Sequence, residues 1–523
     1  MRTPLRIALA LTVVSLSVAS RSPREDVDIL LRGGTVIDGT GAPARAADVA
    51  IRGDRIVFIG DASTANLSPK RTIDVHGLVV APGFIDPHTH TQGDLGSTDT
   101  KRRANLPYLY QGVTTVVTNN DGGGNVDIDS TLDSWTKNGI GTNGALFVPQ
   151  GSVRGAVLGM SAAKPTAAQL DAMRSLVRRG MEAGAIGMST GLYYAPGSYS
   201  STEEVIELAK VAAQYGGIYD THLRDESSYT IGLIGAVNEA IRIGREARLP
   251  IHISHIKALG TDVWGQSDSV ITLIRRARAE GIEVTASQYP YDASGTSVGA
   301  SLLPRWAEVG GRDSLRARIA DAATRTRLTT EMQTNLRRRG GANTLLISST
   351  RDTSILGRTL EQVAAARHKS PIDAALQIIQ QGDASVASFN MNEKDIEKFM
   401  VQDFVMTGSD GSDGHPRKYG TFPRILREYV LNKHVLTLPQ AIHRSSALAA
   451  ATLRLPQRGT LAVGNFGDVI AFDTATVADK STYREPRLLA TGMRYVLVNG
   501  TLAIDRGNYT GALSGRALRH AAH

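Results

Sequence analysis

His88 and His90 stand two residues apart in Gly83-Phe84-Ile85-Asp86-Pro87-His88-Thr89-His90, directly after the apolar run Val79-Val80-Ala81-Pro82. Side chains at i and i+2 of a strand share one face, so both imidazoles can point at a single metal ion. His222 closes Ile218-Tyr219-Asp220-Thr221-His222, and His255 closes Ile251-His252-Ile253-Ser254-His255. Any one of these reads equally well as a hydrogen-bonded histidine of a core or rim. Four of the chain's twelve histidines at the ends of such runs is the pattern that points to a metal. His252 has the wrong offset from His255 and is expected to pack behind it. Asp410 ends a further run, Val405-Met406-Thr407-Gly408-Ser409-Asp410. A carboxylate there suits an Asx turn, but it can also take a proton from an activated water and pass it to a leaving nitrogen. There is no cysteine. Thiolate metal sites, disulfides and cysteine nucleophiles are therefore excluded, and His, Asp, Glu or a modified Lys must hold any metal.

These residues need strands to present them. Eight strands are predicted at 84–90, 113–118, 145–150, 185–190, 217–222, 250–255, 282–289 and 403–410. Amphipathic helical stretches such as 168–183, 203–215 and 267–280 lie between most of them. Eight βα units favour a closed (β/α)8 barrel, whose active site lies at the C-terminal ends of its strands. The gap between the seventh and eighth strands is too long for one crossover, so an insertion with charged helices is predicted at about 293–350. Residues 27–82 read as short strands and turns, with Gly53-Asp54 as a hairpin turn. The strand-like runs at 467–472 and 493–500 repeat this texture. The chain is thus read as a small β-sandwich domain built from both ends, 21–82 and 456–523, around an α/β barrel at 83–455.

With 41% hydrophobic and 21% charged residues the chain is ordinary globular material. Aromatics at 5% are too few for stacking platforms that read carbohydrate or single strands. The net charge of +8 has no binding stripe behind it. Arg102-Arg103 and Arg337-Arg338-Arg339 are short and read as solvated helix faces, so no nucleic-acid partner is expected. Arg2 and Arg6 precede the apolar stretch 7–19 and small residues at 17–19, which is the pattern of a signal peptide over 1–20. An exported, periplasmic protein without a membrane span in its mature chain is expected. The sequence does not specify its oligomeric state.

The stretch Gly83-Phe84-Ile85-Asp86-Pro87-His88-Thr89-His90 resembles the first-strand motif of the amidohydrolase superfamily, and the order H-x-H, His, His, Asp resembles it too. More closely, the chain resembles the N-acyl-D-amino-acid deacylase (D-aminoacylase) branch. Gln111-Gly112-Val113-Thr114-Thr115-Val116-Val117, Ser189-Thr190-Gly191-Leu192, Thr221-His222-Leu223-Arg224, Ile253-Ser254-His255-Ile256-Lys257, Gln288-Tyr289-Pro290-Tyr291 and His415-Pro416-Arg417 carry the likeness. The resemblance implies zinc or a similar divalent ion, one or two per chain, and hydrolysis of a small-molecule amide substrate, an N-acyl-D-amino acid. A cyclic amidase or small-peptide hydrolase of the same superfamily, and a metal-less binding barrel, are the competing readings.

Two departures from the branch stand out. Its second strand commonly ends in a zinc-binding cysteine, and here Thr118-Asn119-Asn120-Asp121-Gly122 occupies that place. Asp121 aligns with the ligand; a shift of one residue would put Asn120 there instead. No lysine lies in 185–190 to bridge metals in the manner of related enzymes. The second departure is Gln150, where the branch often has histidine. The expected ligands are His222, His255 and Asp121 for a tighter ion, with His88 and His90 for a weaker or second one, and Asp410 as the proton carrier. Arg417 follows Asp410 on a loop at the catalytic face, where its fork of donors suits a substrate carboxylate. By resemblance Lys257 and Tyr289 contact the same carboxylate.

Overall fold

The computed structural model describes residues 24–520. The expected signal peptide lies outside the described residues. The barrel strands are β1 (Phe84–Asp86), β2 (Val113–Thr118), β3 (Asn143–Leu146, resuming at Val148–Pro149), β4 (Gly187–Gly191), β5 (Ile218–His222), β6 (Ile251–Ile253), β7 (Val284–Gln288) and β8 (Val405–Thr407). All neighbouring pairs are parallel. The ring closes where Thr89 bridges Gly411, with the Asp410 amide donating to the His88 carbonyl at 2.9 Å. Nearly every strand residue is buried, which is why these segments are continuous apolar or small-residue runs.

Helices wrap the strands by ordinary local rules. Ala167–Glu182 starts at a Thr166/Gln169 capping box and turns Met173, Val177, Gly180 and Met181 inward. Gly232–Ala247 buries Leu233, Ala236, Val237, Ala240, Ile241, Gly244 and Ala247, a stripe at helical spacing.

Both chain ends share one nine-stranded sheet. Val79–Pro82 pairs antiparallel with Val469–Phe472, and Glu25–Val36 pairs with the strands on either side. Residues from both parts, including Leu31, Val49, Ile73, Val469 and Leu497, enclose one apolar cluster. Arg52 and Arg55 flank the Gly53-Asp54 turn as an antiparallel pair.

The inserted unit is longer than the expected 293–350. Ala293–Ser297, Leu345–Ser349 and Ser385–Phe389 form a separate antiparallel sheet, so the unit runs to 389. A sheet completed by a strand so distant in sequence leaves no local mark of where it ends. The charged stretch 312–339 is two helices, Gly311–Ala320 and Ala322–Arg338, split where Asp321 caps the second through Thr324 N.

Candidate metal centre and active site

The four histidines and two aspartates converge at the C-terminal rim. His88, His90, Asp121 and Asp410 form one group, and Asp121, His222 and His255 a second, so Asp121 belongs to both. Asp121 Oδ1 lies 3.4 Å from His88 Nε2, 3.4 Å from His255 Nε2 and 3.7 Å from His222 Nδ1. Its Oδ2 lies 3.4 Å from His90 Nε2. Asp410 Oδ1 is 3.1 Å from His90 Nε2 and 3.6 Å from His88 Nε2. His222 Nδ1 and His255 Nε2 are 3.0 Å apart.

This donor set fits zinc. Ligand atoms about 2.0–2.2 Å from a tetrahedral ion stand roughly 3.3 Å from one another, close to the spacing here. His88 is fully buried, and both its ring nitrogens lack a hydrogen-bond partner. Such an orphan in a core is costly unless something else completes it. The structure brings Asp121 to the histidines. Asn120 instead turns its amide to Asp220 and the Pro87 carbonyl, 3.1 Å from each.

Backbone geometry holds the ligands in place. Asp121, His255 and Asp410 all have positive φ (57°, 36° and 48°), a strained conformation that clusters at functional sites. Gly191 permits it at Asp121, since a Cβ there would lie 2.1 Å from the Asp121 carbonyl oxygen. Behind the ligands, Asp86 Oδ1 accepts from the His88 and Ser409 amides, tying β1 to the end of β8. Asp220 accepts from Ser254 and Asn120. Burial pushes the carboxyl of each of these two up to about 7, against their hydrogen bonds. His252 lies between Thr285 and Ser287, and burial brings it down to about 3.

Glu226 was not foreseen. It is buried with Oε1 3.1 Å from His255 Nδ1 and Oε2 3.6 Å from His222 Nε2, so it braces both rings from outside. Burial opposes its charge, but Lys257, His222 and His255 hold its carboxyl well below the usual range. Its only sequence signal is its place four residues after His222.

The expected carboxylate-binding trio lines a cavity of about 840 Å³ over the metal ligands. Lys257 does not offer a free ammonium: Nζ meets Glu226 Oε1 at 2.5 Å, His255 Nδ1 at 2.7 Å and the His255 carbonyl at 3.1 Å. Tyr289 has an unpartnered hydroxyl and its ring faces the Arg417 guanidinium at 4.7 Å. Arg417 is not on an open loop. It begins the helix Arg417–Arg424, is 1% exposed, and sets Nη1 2.8 Å from Asp410 Oδ2. Its Nε has no partner, so the fork keeps a donor for another anion. Burial again opposes the charge on Asp410, and Arg417 is the first of the cations that hold it far below the ordinary carboxylate range. Gly295 leaves room for this pair, since a Cβ there would sit 2.8 Å from Arg417 Nη2. Gln150 is buried on Ser200 and is not part of the cavity wall.

One basic run departs from its solvated reading. Arg337 pairs with Asp262 at the surface, but Arg339 is 2% exposed and reaches the cavity wall. The helix ends at Arg338 and the chain turns inward there, which charge counting along the sequence does not reveal.

A model of the amidohydrolase family matches residues 71–504. The D-aminoacylase of Alcaligenes xylosoxydans xylosoxydans is 35% identical over 96% of this chain and all of its own length. The N-acyl-D-aspartate deacylase of the same organism is 33% identical over 93% of each chain. The crystal structure of the N-acyl-D-glutamate deacylase of Bordetella bronchiseptica, complexed with zinc and a phosphonate mimic of the tetrahedral intermediate, superposes with a TM-score of 0.81. It is 31% identical, covering 95% of this chain and all of that one.

Proposed function

The chain belongs to the amidohydrolase family, and from that membership we propose that it is a metal-dependent hydrolase of N-acyl-D-amino acids. The observation that carries the reading is the pair of ligand groups joined at Asp121, with Asp410 beside them and Arg417 against Asp410. Asp121, His222 and His255 would hold the tighter ion, and His88 and His90 with Asp121 a second. Zinc bound there supplies Lewis acidity, which makes water nucleophilic near neutral pH and polarises the acyl carbonyl.

Asp410 receives the proton of the attacking water and delivers it to the leaving nitrogen as the amide bond breaks. Because Arg417 favours the ionised form, Asp410 starts as a base and gives the proton up readily to an amine. Arg417 and the Tyr289 hydroxyl orient the α-carboxylate. Lys257, held by Glu226, adds positive charge to that wall without a free donor. Arg2, Arg6 and the apolar stretch 7–19 support export to the periplasm.

Matched N-acetyl-D- and N-acetyl-L-methionine, assayed with elemental analysis of the same preparation, test the reading. Hydrolysis of the D form, zinc in the protein, loss of activity on chelation and its return with added zinc are expected. Hydrolysis of the L form alone, or full activity in a metal-depleted sample, overturns it.

A further inference from the structure

Pro416 precedes the helix Arg417–Arg424 and has no N–H, so the Arg417 amide is the first donor of that turn to need a partner. It donates to His415 Nδ1 at 3.2 Å. The other ring nitrogen of His415, Nε2, lies 3.1 Å from the Ala293 carbonyl oxygen. A backbone amide only donates and a carbonyl only accepts, so the imidazole is neutral with its hydrogen on Nε2. Burial, and then the Arg417 charge, hold it well below the ordinary histidine range. His415 is 2% exposed, and neither nitrogen is left for a metal or a substrate.

Three segments meet on this ring. Ala293 begins the first strand of the insertion, Ala293–Ser297. Two residues on, Gly295 backs onto both side chains: a Cβ there would lie 2.8 Å from Arg417 Nη2 and 3.4 Å from His415 Cδ2. Tyr291 and Tyr483 face the imidazole edge-on, with ring centroids at 5.7 and 5.2 Å. Tyr483 comes from the segment between Val469–Phe472 and Met493–Val498 of the terminal sheet, and its hydroxyl donates to Asp292 Oδ1 at 3.1 Å. Ser481 of the same segment donates to the Pro416 carbonyl at 3.0 Å. The ring is thus a joint between barrel loop, insertion and terminal segment, and what it holds is the start of the helix that carries Arg417.

We propose that His415 is a positioning residue: through the Arg417 amide it sets the guanidinium that orients the substrate's α-carboxylate, and Tyr483 fixes it from the terminal sheet. The inference rests on the deacylase reading above. Arg417 has to meet Asp410 at 2.8 Å and the Tyr289 ring at 4.7 Å at once, so a small tilt of its first turn displaces the donor offered to the carboxylate.

A double-mutant cycle tests this, with kcat/KM measured on whichever of N-acetyl-D-methionine, N-acetyl-D-glutamate and N-acetyl-D-aspartate the wild type turns over best, and zinc content measured on each preparation. His415→Phe keeps a ring between the tyrosines and removes both hydrogen bonds. A loss of about 100-fold is expected, the scale of a 1 Å misplacement, with zinc unchanged. In an Arg417→Met background the same change is expected to add little, because the group it positions is gone. Tyr483→Leu is expected to follow the same pattern with a smaller loss. His415→Asn keeps an acceptor near the place of Nδ1, whereas His415→Gln reaches only towards Ala293, so Asn is expected to retain far more activity than Gln. That pair decides the matter even if His415→Phe fails to fold or Arg417→Met is too slow to assay. Unchanged activity in His415→Phe, the same fold-loss with and without Arg417, or equal activity of Asn and Gln overturns the proposal and leaves the deacylase reading standing. A wild type that hydrolyses none of the three substrates overturns that reading itself.

Discussion

The barrel rim and the inserted unit at 293–389 face the same cavity with opposite construction. At the rim, His88, Asp86, Asp220, Glu226 and His255 are buried polar groups, held by hydrogen bonds, charge and strained turns. In the insertion, Leu328, Met332, Leu336, Leu345, Ile347, Leu360, Val363 and Leu376 form an apolar core of their own. Burying polar groups costs stability unless every one is satisfied, whereas burying Leu and Ile contributes it directly. The rim is therefore built for reactivity and stabilised by what surrounds it. The insertion is stable material that lends a few side chains to the wall.

Asp410→Asn is the sharpest probe of that contrast. It keeps the shape and removes the proton-carrying function, so kcat should fall about 100- to 10,000-fold with little change in zinc content, while the loss of Arg417's charged partner lowers the melting temperature. Steady-state kinetics with elemental analysis on one preparation decide it. Near wild-type turnover would take Asp410 out of the mechanism and blur the distinction.

Leu328→Ala should do the converse. The side chain is fully buried, and its truncation should cost about 2–5 kcal/mol, read by denaturant unfolding. Zinc content and kcat of the folded fraction should hold. A variant that kept its stability but lost its metal would show that the two regions are one cooperative unit.

Glu226→Gln falls between them. It keeps the volume and removes the charge behind His222 and His255, so zinc affinity or activity should drop about 10- to 100-fold. Titration with a competing chelator measures this, and unchanged affinity would reduce Glu226 to a partner of Lys257.

The same contrast explains what could be read in advance. The barrel strands and the ligands at their ends follow from a two-residue period and from length, which are local properties. Asp220 and Asp86 were open to the same arithmetic, each two residues before a ligand histidine on the same face. Asp121 took a likeness to known enzymes, because nothing in Asn119-Asn120-Asp121 distinguishes ligand from neighbour until the positive-φ turn is formed. Glu226 depends on the fold of an irregular turn. The pairing of Arg417 with Asp410 and the inward course of Arg339 depend on contacts between distant segments. So did the true end of the insertion, set by a strand that pairs back across some ninety residues of sequence.

The sheet made from both chain ends has a consequence for how the protein comes into being. One edge of Val79–Pro82 pairs with Glu25–Val36, but the other finds its partner only in Val469–Phe472, and Gly144 and Gly184 at the foot of the barrel are hydrogen-bonded by residues at 516–520. The N-terminal strands can pair among themselves, but that second edge must wait until Val469–Phe472 has left the ribosome. Closing a loop of nearly four hundred residues is a late and slow event. The nascent chain is thus kept from locking prematurely, and a truncation of even the last few dozen residues should strand the whole molecule in an open, protease-sensitive state.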